Sequence, residues 1–221
     1  QTFSIATSAE DPVDNPIDII LPGDDTLGSL LLLAKALIPK GNLVISNMPL
    51  EIWGTPIISL IRKMGCKTGT QQESLSSCGP CGTMHCQPFK IVGRKTDCVP
   101  LFHFRGQLFP MVVLTCFSEG QSIFRHLEDL RNEIPDHIEE MLFLVRTLGG
   151  RHGEMPDGMV IDRAANFDGF DIEEDFGSAA LGACAIAGLR CNGNTNVTKK
   201  SIVKRWPDFN QMLKNICTYR N

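Results

Sequence analysis

A pattern of about seventy to eighty residues occurs three times in this chain, and a repeat of that length constrains the fold more than any single motif. Its first part is an apolar run closed by glycine and followed by a short β-prone run. The three copies are LLLLAKALIPKGNLVISNM (30–48), PMVVLTCFSEGQSIFRHL (110–127) and SAALGACAIAGLRCNGNTNV (178–197). Its second part is an amphipathic run, IISLIRKMGC (57–66) and IEEMLFLVRTLGG (138–150), with DFNQMLKNIC (208–217) as a shortened third. Helical periodicity with a glycine stop predicts two helices per unit. FKIV (89–92) and GMVID (158–162), the latter after the turn MPDG, read as strands. Helix–strand–helix–strand–strand units with short links predict an α/β domain with helices packed against sheet. Residues 1–17 read as an N-terminal edge, hinge or linker, and 18–221 as one domain.

Composition narrows the function classes. A net charge of -4 and a pI near 5.7 give no general attraction to nucleic acid or an anionic membrane. The longest apolar run, LGSLLLLAKALI, is interrupted by Lys35 and falls short of the roughly 18 residues of a membrane span. Nine cysteines, an odd number scattered through a chain with 43% hydrophobic residues, predict reduced thiols and a cytoplasmic setting.

The apolar helices read as core, so chemistry is expected where helices begin, because unpaired amides and the helix dipole favour anions there. DLRNEIPDHIEEM (129–141) is such a place, with seven ionisable side chains in thirteen residues directly before an apolar helix.

Four stretches, in order, resemble the C-terminal half of the EPSP synthase (3-phosphoshikimate 1-carboxyvinyltransferase) family. They are ILPGDDTLGSLLLLAKALIPKGNLVISN (20–47), GTPIISLIRKMGC (54–66), the segment 112–150 and SIVKRWPDFNQML (201–213). The segment 112–150 resembles the one that carries the family's R-x-K-E-[ST]-D-R motif, and 201–213 resembles the closing K-[ST]-F-P-[DE]-[FY] motif. The resemblance implies an EPSP synthase-like inverse α/β domain built from three βαβαββ units, in agreement with the repeat. It also implies a companion N-terminal domain, an active site between the two, and enolpyruvyl transfer from phosphoenolpyruvate to shikimate 3-phosphate. No cofactor is implied.

That chemistry needs cations and helix N-termini around several phosphate and carboxylate charges, and a group that exchanges protons. Aligned without gaps, Arg131 and Asp136 match the motif. The family's lysine falls on Glu133, its glutamate on Ile134 and its arginine on His137. Its aspartate before the second apolar helix falls on Gly106 or Gln107. Its Asp-His-Arg meets DIEEDFGSAALGA (171–183), where Asp175 matches and no arginine follows before Arg190. Lys204 retains the family's residue, and Arg105 is a candidate anion contact. At about 4 Å each charge reversal costs a few kcal/mol even at an effective dielectric of 20. The expectation is a family domain that has lost the ancestral catalysis and serves a larger protein in binding or as a scaffold. The alternative is one half of a working transferase.

A third reading comes from SSCGPCGTMHC (76–86). Cys78, Cys81, His85 and Cys86 have partial zinc-ligand spacing, without a second well-spaced pair. The same residues also read as a redox pair, or as a glycine-rich loop with free thiols. His103 and His126, beside large apolar residues, read as packed side chains. Arg62 and Lys63 read as helix-end cations.

Overall fold

The computed structural model describes residues 21–38, 42–50, 55–77, 79–87, 89–99, 105–133 and 135–218. The hinge or linker expected at 1–17, His103 and FHF before Arg105 lie outside these residues. Each apolar run of the repeat forms a helix: α1 (Asp25–Leu37), α3 (Arg105–Thr115) and α6 (Gly177–Gly188). Each amphipathic run forms a second helix: α2 (Thr55–Lys63), α5 (His137–Thr147) and α8 (Phe209–Thr218). Gly65 and Gly149, with φ of 110° and 73°, end the turns after α2 and α5 in a conformation that disfavours side chains.

The second unit shows the strand plan in full. β4 (Lys95–Asp97) runs parallel to β5 (Ser122–Arg125), and β5 is antiparallel to β7 (Gly158–Asp162). β7 is in turn antiparallel to β6 (Arg151–Met155), so the sheet order is β4-β5-β7-β6. In the first unit β1 (Leu43–Pro49), β3 (Gly79–Cys86) and β2 (Thr68–Ser76) repeat the antiparallel part, in the order β1-β3-β2. In the third, β8 (Asp171–Ile172) and β9 (Asn196–Val197) repeat the parallel pair. The expected strand at 158–162 is β7. FKIV is not a strand: it contributes one isolated bridge, Val92 to Glu119. The cysteine-rich stretch read as a loop is instead β3, paired on both sides. Two short helices complete the chain, α4 (Glu128–Arg131) and α7 (Lys200–Arg205).

The core lies where α1, α3 and α6 pack on one another. Leu30, Val112, Val113, Ala180, Leu181 and Ala183 have no solvent exposure. Burial of each of the larger side chains contributes about 1.5–3 kcal/mol. The small residues of α6 permit close approach: a Cβ at Gly182 would lie 2.9 Å from Leu30 Cδ1. No helix among the described residues is long and apolar enough to cross a membrane.

Candidate functional site

The entrances of α1, α3 and α6 are tied together at one end of this three-helix core. At α1, Asp24 Oδ1 accepts the Leu27 amide at 2.9 Å, and its Oδ2 accepts Arg205 Nε and Trp206 Nε1, each at 3.1 Å. At α3, the buried Gln107 donates its Nε2 to Asp25 Oδ2 at 2.7 Å. A Cβ on the neighbouring Gly106 would fall 2.6 Å from Thr26 Oγ1. At α6, Asp175 Oδ1 accepts the Gly177 amide at 3.1 Å and the Ser201 hydroxyl at 2.6 Å. α7 thus spans from the α6 entrance, through Ser201, to the α1 entrance, through Arg205. The Asp175 carboxyl is held below the usual range by the Ser201 hydroxyl first, then by the Gly177 amide, with Lys200 adding attraction. Helix N-termini that favour an anion are here supplied with the chain's own carboxylates at α1 and α6.

The stretch 129–141 sits beside the α3 entrance. Arg105 pairs with Glu133, whose Oε2 also lies 3.3 Å from His137 Nε2. The other ring nitrogen, Nδ1, is 2.6 Å from Glu140 Oε2. Phe109 of α3 meets the imidazole edge-on at 6.1 Å between ring centroids. Both imidazole nitrogens therefore face carboxylates. Arg131 pairs with Glu154 of β6 at 3.1 Å. Asp136 is the N-cap of α5, its Oδ1 accepting the amides of Ile138 at 2.9 Å and Glu139 at 3.1 Å. Arg105, Glu133 and His137 are thus brought together, while Arg131 and Asp136 serve the neighbouring strand and helix. Ile134 lies outside the described residues.

Lys204 is exposed on α7. The cation that reaches the α1 entrance is its neighbour Arg205, which also lies 4.9 Å over the Trp206 ring. The sequence reading passed over Arg205, although one turn of helical geometry in VKRW separates the faces of adjacent residues. His126 is another correction. It is half-exposed, has a φ of 60° and pairs through Nδ1 with Asp97 at 3.0 Å, instead of packing. That contact is the main cause that lowers the Asp97 carboxyl.

The cysteine set is not gathered at one point. Cys81 and Cys86 are five residues apart on β3, roughly 17 Å at about 3.4 Å per residue, and His85 is exposed on that strand. A tetrahedral zinc holds its thiolates within about 2.3 Å of the ion, so these two cannot share one. Cys78 lies outside the described residues, and no group of three potential ligands occurs among the described ones. The thiol nearest Cys86 is Cys66, at 3.0 Å between the sulfurs.

Comparison with known proteins gives a consistent result. Residues 4–213 match the family described as EPSP synthase (3-phosphoshikimate 1-carboxyvinyltransferase). The 3-phosphoshikimate 1-carboxyvinyltransferase of Acaryochloris marina (strain MBIC 11017) is 24% identical over 200 residues, covering 90% of this chain and 45% of its own length. That of Synechococcus sp. (strain WH7803) is 26% identical over 201 residues, covering 86% and 44%. The solved EPSP synthase from Acinetobacter baumannii superposes with a TM-score of 0.80 at 18% identity, over 90% of this chain and 46% of that one. The enolpyruvyl transferase NikO from Streptomyces tendae superposes with a TM-score of 0.61 at 16% identity, over 89% and 43%. The chain spans about half the length of the curated relatives it matches.

Proposed function

Because this chain belongs to the EPSP synthase family, we propose that it is one domain of a larger enolpyruvyl transferase-type protein and has lost the ancestral catalysis, serving in binding or as a scaffold. The observation that carries this reading is the closed network Arg105–Glu133–His137–Glu140. Transfer of an enolpyruvyl group between phosphorylated substrates requires cations that are free to meet phosphate and carboxylate oxygens. In this network the one guanidinium is matched by a carboxylate, and the imidazole lies between two. The packing of Thr26 against Gly106 supports the same reading, since a side-chain base at 106 would need the space Thr26 fills. The reading uses no cofactor, and a cytoplasmic setting belongs to it.

The test uses the full-length protein. Phosphate release from phosphoenolpyruvate plus shikimate 3-phosphate is expected to stay at the background rate, and a strain lacking the synthase is expected not to be complemented. Turnover or complementation would falsify the proposal.

A second reading is one half of a working 3-phosphoshikimate 1-carboxyvinyltransferase, completed by a companion N-terminal domain. The coverage of about 45% of relatives that bear that name favours it. It requires Lys204, Arg205 and Arg105 to meet substrate anions when the companion domain is present. Measurable affinity of the full-length protein for shikimate 3-phosphate, lost on Lys204→Ala, would support it over the first reading.

A further inference from the structure

We propose that Cys66 and Cys86 form a redox-active dithiol, a modification site that peroxide or a small disulfide converts into an intramolecular disulfide. The two thiols come from different elements that the sheet register brings together. Cys66 follows the turn after α2, and Cys86 ends β3. Thr68, the first residue of β2, is paired with Cys86, and the Gln87 amide donates to the Lys67 carbonyl at 3.1 Å. This pairing holds the sulfurs 3.0 Å apart. A disulfide bond of about 2.05 Å needs only about 1 Å more of closure.

The surroundings favour reaction. Lys35, buried on α1, donates to the Ile38 carbonyl at 3.3 Å and acts on both thiols through its charge. The hydrogen bond with Cys66 holds the Cys86 thiol below its ordinary range, with Lys35 acting in the same direction. The same hydrogen bond, and then burial, push the Cys66 thiol up, against the pull of Arg62 and Lys35. Buried thiols elsewhere behave otherwise: desolvation pushes Cys98 and Cys116 up to about 12. A thiolate beside a resolving thiol is the arrangement that oxidises to a disulfide instead of stopping at sulfenic acid. The turn itself does not need a cysteine, because the same turn in the second unit carries Gly149 and Gly150. Both thiols are buried, at 4% and 1% exposure, but next to the edge strand β2, whose side chains are exposed along most of its length. Local opening of that edge gives a small oxidant access without unfolding the core.

With hydrogen peroxide, the Cys86 thiolate attacks one oxygen to give a sulfenic acid and hydroxide, which becomes water on protonation. The Cys66 sulfur then attacks Cys86 Sγ and displaces hydroxide, which takes the Cys66 proton. The sum is two thiols and one peroxide giving one disulfide and two waters. With a small disulfide, the Cys86 thiolate displaces one thiolate, and Cys66 displaces the second.

The experiment exposes the native full-length protein to hydrogen peroxide or oxidised glutathione, alkylates the remaining thiols after denaturation and maps the peptides. The expected product is a Cys66–Cys86 linked peptide, a mass lower by about 2 Da, restored by dithiothreitol, with Cys98, Cys116 and Cys184 still free. In Cys66→Ala and in Cys86→Ala the linked peptide disappears, and the remaining cysteine of the pair forms no other intramolecular disulfide. If those variants do not fold, the wild-type map decides alone. Recovery of Cys66 and Cys86 as free thiols after oxidant treatment would overturn the proposal. So would linkage of Cys86 to Cys78 or Cys81 instead.

Discussion

Asp24 accepts the indole N–H of Trp206 at 3.1 Å, a contact that spans 182 positions and closes the last unit of the repeat onto the first. The same carboxylate caps α1. Trp206→Phe removes one donor to a charged acceptor and is expected to cost about 1.5–3 kcal/mol. Asp24→Ala removes the cap as well and is expected to cost more, by about 1 kcal/mol. Urea unfolding measures both, and a Trp206→Phe midpoint equal to wild type would show that the contact contributes nothing.

Thr26 and Gly106 interlock at the α1 and α3 entrances. Gly106→Asp is expected to destabilise by about 1–3 kcal/mol through overpacking. Thr26→Ala in the same chain is expected to recover part of that loss, because the atom 2.6 Å from the new Cβ is gone. A double-mutant cycle by chemical unfolding reads the coupling. Simple additivity would show that the steric account is wrong.

Asp136 acts on the helix below it. Asp136→Ala is expected to lose about 1 kcal/mol through the uncapped amides of Ile138 and Glu139, whereas Asp136→Ser retains most of the stability. Equal destabilisation by both substitutions would point to a role other than capping.

Glu133 pairs with Arg105, and His137 lies against the same carboxylate. The double variant Glu133→Lys, His137→Arg is expected to bind inorganic phosphate at least tenfold more tightly than wild type, since a like charge near 4 Å is worth a few kcal/mol at most at an effective dielectric of 20. Titration calorimetry at low salt measures this. Equal affinity in the two proteins would mean that Glu133 and His137 do not govern anion binding beside Arg105.

Asp175 gives a pH signature. Its folded carboxyl lies below its unfolded value, so the stabilisation is present above the unfolded value of about 3.9 and is lost as pH falls through the folded one. Ser201→Ala removes the largest cause of the lowering. The unfolding midpoints of wild type and Ser201→Ala are therefore expected to differ near pH 7 and to converge as pH falls through the folded carboxyl's lowered value. A difference that persists unchanged at low pH would assign the effect to packing of α7 instead.

Much of the architecture was legible because periodicity and glycine are local signals. The three apolar helices start at Asp25, Arg105 and Gly177, close to the spacing of the repeat, and Gly65 and Gly149 end their turns as the motif required. The strands were less so. β2, TGTQQESLS, is an exposed edge strand, with polar side chains that carry no alternation to read. β3 follows from pairing on both sides, which glycine and cysteine in its sequence do not announce. FKIV has strand composition but lacks a partner beyond the single Val92 bridge. At the candidate site, the sequence singled out Glu133 and His137 within 129–141 and Arg105 as an anion contact, and it missed Arg205.

The sequence by itself determined the threefold unit and the helices that form its core. Those properties depend on side-chain period and backbone freedom within a few residues. Tertiary structure alone decided which charges meet: Asp24 with Arg205 and Trp206, Arg105 with Glu133, Arg131 with Glu154, and Cys66 with Cys86. Each of these pairs joins segments that are distant in the chain. Only the packing of helices and the register of strands fixes distances between such segments, and distance sets whether two charges or two sulfurs interact at all.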